Sequence, residues 1–284
     1  MPLKIDEELF SFAFIPAWYD QLYALAQMAM SESWRFRQPE REIQNTETPI
    51  LERYINQIFA RQANEFNVLP ADCRDKVIYI RDDLACLHTG LYTKRYKSIY
   101  MLFEPNRKMD TTKQWYFKAF VEESSEKLKY VSPLPSRPRF LKEGISVCFE
   151  PEWEVRINIE HIIGDVRNLQ RIPGMLRDAW NLQVLLEAAV QDARNRAKLD
   201  GAIVIPQVFQ GQLQFLIPIY LTNNVLPDMA MALSIMDGYY IGHTCLTCEM
   251  AYQNARLLGR PMATWLTNLV SPDDKDGEED MCRN

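Results

Sequence analysis

The sequence is poor in features that would declare a function at once. Its longest apolar runs, such as Phe215–Leu221, are far shorter than the roughly 20 residues a helix needs to cross a bilayer, so no membrane partner is expected. Met1–Phe14 places Asp6, Glu7 and Glu8 ahead of its apolar residues and lacks the basic stretch of a secretory leader, which points to a cytoplasmic location. Six cysteines scattered over 284 residues are too sparse for a disulfide scaffold and read as reduced thiols. There is no Walker A loop, no Gly-x-Gly-x-x-Gly turn, no Gly-x-Ser-x-Gly elbow, no His-Glu-x-x-His and no kinase set, which disfavours the standard nucleotide-cleaving and dinucleotide-binding readings. Cys245-x-x-Cys248 lacks the second pair a tetrahedral zinc requires and has only His243 nearby, so buried thiols in a helix are expected, and neither a metal nor a cofactor.

What is present is ordinary globular material. Hydrophobic residues make up 47% and charged residues 25%, enough apolar surface for a core without any staple. The formal charge of −6 is uneven: Ser271–Asn284 holds six acids against Lys275 and Arg283, a tail of −4 that leaves −2 for the rest. A nearly neutral body exerts no global pull on nucleic acid but still has room for a local basic patch. The expected organisation is a single α+β domain over residues 1–270, with an acidic flexible tail at 271–284.

Periodicity places the elements. Trp18, Leu22, Leu25 and Met28 recur at helical spacing, as do Leu51, Tyr54, Ile55, Ile58 and Phe59, so residues 1–72 form a helical lobe. From about residue 73 the chain turns sheet-rich, with strands expected at Val77–Arg81, Ser98–Phe103, Trp115–Val121 and Glu154–Ile159. Pro133, Pro135 and Pro138 make 130–144 a linker candidate. The stripe Leu182, Leu185, Leu186, Ala189, Val190, Ala193 and Ala197 predicts a long central helix. Hairpins are expected at Gln210-Gly211 and Asp237-Gly238, with Pro206 and Pro218 at an edge or bulge, and a last helix over Thr244–Leu258. The fold class is thus a helical N-terminal part on a mostly antiparallel sheet, with no internal repeat legible.

Three constellations hold chemistry. His88–Lys97, expected as a loop between strands, gathers Thr89, Gly90, Tyr92, Thr93, Lys94 and Arg95. Hydroxyls and cations suit phosphate, a glycine admits close backbone approach, and tyrosines stack on bases. The bland alternative is a loop with solvated cations. Arg156, Asn158 and His161 mark a strand-to-helix junction, where Asn158 caps the helix, Arg156 holds an anion and His161 binds or transfers a proton. A capping or surface histidine is the plainer reading there. In the last helix Glu249, Tyr252 and Arg256 share a face, with Asn254 beside them. Glu249 is a candidate base or ribose ligand, against a simple surface ion pair.

Thr89–Thr93, Val155–Asn158 with His161, and Leu246–Leu257 together resemble a bacterial family of domains of unknown function, over Trp18–Trp265. Members of that family are sometimes joined to small predicted RNA-binding modules, so the resemblance implies an RNA or nucleotide context. The leading expectation is an RNA- or nucleotide-binding module with a basic cleft lined by the Thr89 loop, the Arg156 strand and the polar face near Glu249, in which Lys94, Arg95, Arg156 and Arg256 hold phosphate and Asn158 or Asn254 reads a base edge. The alternatives are a nucleotide hydrolase or phosphodiesterase using His161 or Glu249 as acid and base, and a protein-interaction scaffold. Oligomeric state has no signature in the sequence.

Overall fold

A computed structural model describes residues 4–40, 46–108, 113–141 and 144–270; the expected acidic tail lies outside the described residues. The chain forms two compact units. The first takes the described residues of 1–35 and 41–139, the second Phe36–Glu40 and Phe140–Val270. The break at Arg139 falls inside the proline-rich stretch 130–144.

The first unit runs α1 (Leu9–Phe12), β1 (Ala13–Phe14), α2 (Trp18–Met28), α3 (Pro49–Val68), β2 (Ile78–Ile80), β3 (Ala85–Tyr92), β4 (Ser98–Pro105) and β5 (Trp115–Glu122). Proline at the first position of α3 has the backbone angle a helix start needs, and no N–H is missed there. The sheet order is β1-β5-β4-β3-β2, antiparallel except that β1 lies parallel to β5. One face meets the helices, where Phe12 packs on Phe59, Phe103 and Trp115. On the other face Tyr79, Cys86, Tyr100, Leu102 and Val121 are covered by Leu128 and Val131. Burial on both faces erases the in-out alternation of β3.

That double burial corrects one expectation. Thr89–Tyr92 belongs to β3 rather than to a loop, and only the residues between Tyr92 and Ser98 turn the chain.

The second unit runs β6 (Glu154–Ile157), α4 (Ile159–Gly164), α5 (Val166–Leu169), α6 (Leu182–Leu199), β7 (Ile205–Phe209), β8 (Gln212–Ile219), β9 (Met229–Ile235), β10 (Tyr239–Leu246), α7 (Cys248–Arg256) and α8 (Thr264–Thr267). Leu182, Leu186, Val190 and Ala193 of α6 pack into a core with Phe215, Ile217, Met231, Leu233 and Tyr240 from the sheet. The order is β6-β10-β9-β8-β7, with β6 parallel to β10. Both expected hairpins form, and Gln210 and Gly211 turn with φ of 51° and 78°, the positive values of a two-residue type I′ turn. Pro206 sits on the edge strand β7, and Pro218 lies past the last β7–β8 pair, Ile205 with Leu216, opposite Ala230 of β9. The last helix starts later than expected because β10 continues through Leu246, after which Thr247 caps α7 by accepting from the N–H of Met250. Cys245 is therefore a strand residue.

The protein is α+β, and its two units repeat one topology. In each, a strand leads through helices into a four-stranded antiparallel meander whose last strand pairs in parallel with the first. A parallel pair needs such a crossover, and the intervening helices provide it. Among the described residues no helix is long and apolar enough to cross a membrane.

Candidate functional site

In the first unit the candidate residues form the β3–β4 hairpin. Thr89 is fully buried, and its hydroxyl donates to the Ile99 carbonyl at 2.7 Å and accepts from the Leu91 N–H at 3.2 Å. Gly90 has φ +79°, and a Cβ there would lie 2.4 Å from the Tyr54 hydroxyl, so glycine is required by both backbone and packing. These two residues shape the irregular stretch of β3 between His88 and Tyr92. Thr93 organises the turn: its hydroxyl accepts from the N–H groups of Arg95 at 3.3 Å and Lys97 at 3.2 Å. Tyr96 adopts φ 59° at the tip and is 79% exposed. Around it Lys94, Arg95 and Lys97 are exposed, and among the described residues their side chains have no acidic or hydrogen-bonding partner.

Half-buried Tyr92 connects this tip to the sheet. The Arg137 guanidinium lies 5.9 Å from its ring centroid, and His88 meets the rings of Tyr92 and Tyr100 edge-on at 5.7 and 5.1 Å. His88 accepts from the Gly90 N–H through Nδ1, and burial together with Arg137 pushes its pKa down to about 4, so the imidazole is neutral at pH 7. Arg137 also borders a cavity of about 280 Å³ with Gln62, Lys76, Ser136 and Arg139. The Gln62 amide nitrogen donates to the carbonyls of Ile58 and His88, while its buried oxygen accepts nothing among the described residues. Sequence reasoning gave His88 no role in this cluster and missed Arg137 as a member of it. The usable signal was the proline-rich segment: ordered against a sheet, it brings its arginines along.

The other candidates belong to the second unit. Arg156 pairs with Glu154 at 2.8 Å and lies over the Tyr239 ring at 4.1 Å, on an exposed face. Asn158 caps α4, accepting from the His161 N–H at 3.1 Å. His161 and His243 have ring centroids 6.2 Å apart, and partial burial with the neighbouring imidazole holds the His243 pKa below its ordinary value. Glu249 accepts from the Glu40 N–H at 2.9 Å, and partial burial raises its pKa. Tyr252 and Arg256 are buried, and Tyr252 packs edge-on against Phe36.

Asn254 begins an arrangement the sequence did not disclose. Its amide donates to Gln207 at 3.0 Å, Gln207 to Gln214 at 2.9 Å, and Gln214 to the Ser234 hydroxyl at 2.9 Å. Counting outward from the two-residue turn at Gln210-Gly211 pairs Gln207 with Gln214, which was the available clue. The structure thus brings Thr89–Arg95 together in one unit, and holds Arg156, Asn158, His161, Glu249, Asn254 and Arg256 in the other.

Among the described residues no group of three or more His, Cys, Asp or Glu could hold a metal ion. Burial pushes the Cys245 and Cys248 thiols up to about 12, so both are protonated at neutral pH.

Residues 25–265, which span parts of both units, match the model of a family described as a domain of unknown function (DUF3825). The chain belongs to that family. No curated protein and no solved structure matches it. Within DUF3825 the match takes in the hairpin, the Arg156–His161 junction and α7.

Proposed function

We propose that this DUF3825 protein binds single-stranded RNA or a nucleotide through the β3–β4 hairpin of its first unit. The observation that carries the reading is the tip itself: three cations without partners among the described residues surround one exposed tyrosine, on a turn that Thr93 holds by two hydrogen bonds. Partner-free cations are available to phosphates, and an exposed ring offers a base a stacking surface without a side-chain collapse to undo first. Arg137 over Tyr92 extends the same chemistry toward the sheet. The overall charge of −6 makes this a local attraction, so binding falls steeply with salt.

The test is fluorescence anisotropy with a short single-stranded RNA. Tyr96→Ala weakens binding by about 5- to 150-fold, the loss of roughly 1–3 kcal/mol of stacking. Replacing Lys94, Arg95 and Lys97 by glutamine lowers affinity further and flattens the logarithmic salt dependence by about 2 units. RNA binding that is unchanged in both variants refutes the hairpin interface.

A nucleotide hydrolase or phosphodiesterase is the second reading, and the observation favouring it is the His161–His243 pair, two imidazoles within reach of one substrate. Mass spectrometry after incubation with nucleotides and short RNAs detects conversion, and the absence of any product under every divalent condition rejects it.

A further inference from the structure

The amide chain of the second unit ends at a cavity of about 720 Å³, within the usual range of roughly 300–1,000 Å³ for small-molecule sites. All three of its hydrogen bonds run in one direction, from Asn254 through Gln207 and Gln214 to Ser234. Each glutamine accepts at its oxygen and donates from its nitrogen, so successive dipoles add and polarise the last group. Gln207 and Gln214 are 2% and 7% exposed, which shields the chain from competing water. Ser234 accepts the final bond, and its own hydroxyl hydrogen has no acceptor among the described residues. The result is a strengthened donor, fixed in place, on the cavity wall.

The rest of the lining selects the ligand's charge and shape. Leu213, Met236 and Ile241 contribute apolar wall, Gln212 and His243 contribute polar groups, and among the described residues no lysine, arginine, aspartate or glutamate lines the cavity. A phosphate or carboxylate would find no counter-charge there, whereas a neutral ring loses little hydration on entering. We propose that this cavity binds a neutral planar heterocycle through a ring carbonyl that accepts from Ser234. The edge that combines carbonyl and ring N–H, as in uridine, also answers the mixed donor and acceptor capacity of Gln212 and His243. The site is independent of the hairpin interface: it lies in the other unit and requires no phosphate.

The probes are uridine, inosine and adenosine, phosphate-free, against the full chain in calorimetry and ligand-observed NMR. Uridine and inosine bind saturably, and adenosine, which lacks a ring carbonyl, binds about 10-fold more weakly. Ser234→Ala brings uridine down to the level of adenosine and leaves adenosine unchanged, a loss of selectivity that general destabilisation would not produce. Gln207→Leu, remote from the ligand, lowers uridine affinity in the same selective way. Ile241→Trp narrows the cavity and weakens binding of all three, which keeps the test open if Ser234→Ala fails to fold. Absence of saturable uridine and inosine binding at millimolar concentration overturns the proposal, as does equal affinity for uridine and adenosine or affinities that Ile241→Trp leaves unchanged.

Discussion

The two units are built on one strand order and spend the second face of their sheets differently. In the first, the face away from the helices buries Tyr79, Cys86, Tyr100 and Leu102, with a neutral His88 among aromatic rings, and three exposed cations, Lys94, Arg95 and Lys97, gather at a hairpin tip. In the second, the corresponding face holds a hydrogen-bonded row of amides that ends at a cavity without charged lining among the described residues. Shared topology therefore decides where side chains can converge and leaves the chemistry of that convergence to a handful of positions. On the readings proposed above, one unit offers a surface for anions and the other a pocket for something neutral.

The contrast is most sharply broken at glycine. Gly90→Ala in the first unit forces a left-handed backbone on alanine and an overlap with Tyr54, a loss of about 4 kcal/mol in urea unfolding. Gly211→Ala in the second unit has a similar φ of +78° but no atom within 4 Å, so only the backbone cost of about 1 kcal/mol remains. Equal losses would show that the first unit's sheet is no more tightly packed than a surface turn.

Titration separates the units next. The folded pKa of His88, about 4, lies below its ordinary 6.5, so the unfolded chain binds the extra proton between those values. The stability this neutral imidazole contributes is complete above pH 6.5 and is lost as pH falls toward 4, by at most about 3 kcal/mol. Urea midpoints from pH 7.5 down to pH 4 measure it, and His88→Leu removes that part of the slope. In the second unit, Gln214→Leu strands Gln207 and Ser234 and costs about 2 kcal/mol, while the double change Gln207→Leu with Gln214→Leu costs less than the two single changes summed. Strict additivity would mean the amides act separately. The smallest effect belongs to Arg156→Ala: its pair with Glu154 is exposed to solvent, so the unfolding midpoint stays within measurement scatter.

Much of the local structure was legible. The stripe from Leu182 to Ala197 is α6, the Gln210-Gly211 and Asp237-Gly238 turns are where hairpins form, and Asn158 caps the helix it precedes. Thr89–Tyr92 was misread because a strand buried on both faces loses the alternation that identifies it, and a glycine with positive φ imitates a loop. Of the candidate site, Lys94 and Arg95 lie at an exposed tip, whereas Thr89 spends its hydroxyl inside the sheet.

Residues within one or two turns of each other settle helix periodicity, caps and tight turns, and these the sequence alone determined. The parallel pairing of β1 with β5 and of β6 with β10, the repeated topology without a sequence repeat, the burial of His88 beside Arg137 and the path from Asn254 to Ser234 were decided by the tertiary structure. Each joins residues far apart in the chain, and their contact exists only after loop closure and burial have placed them side by side.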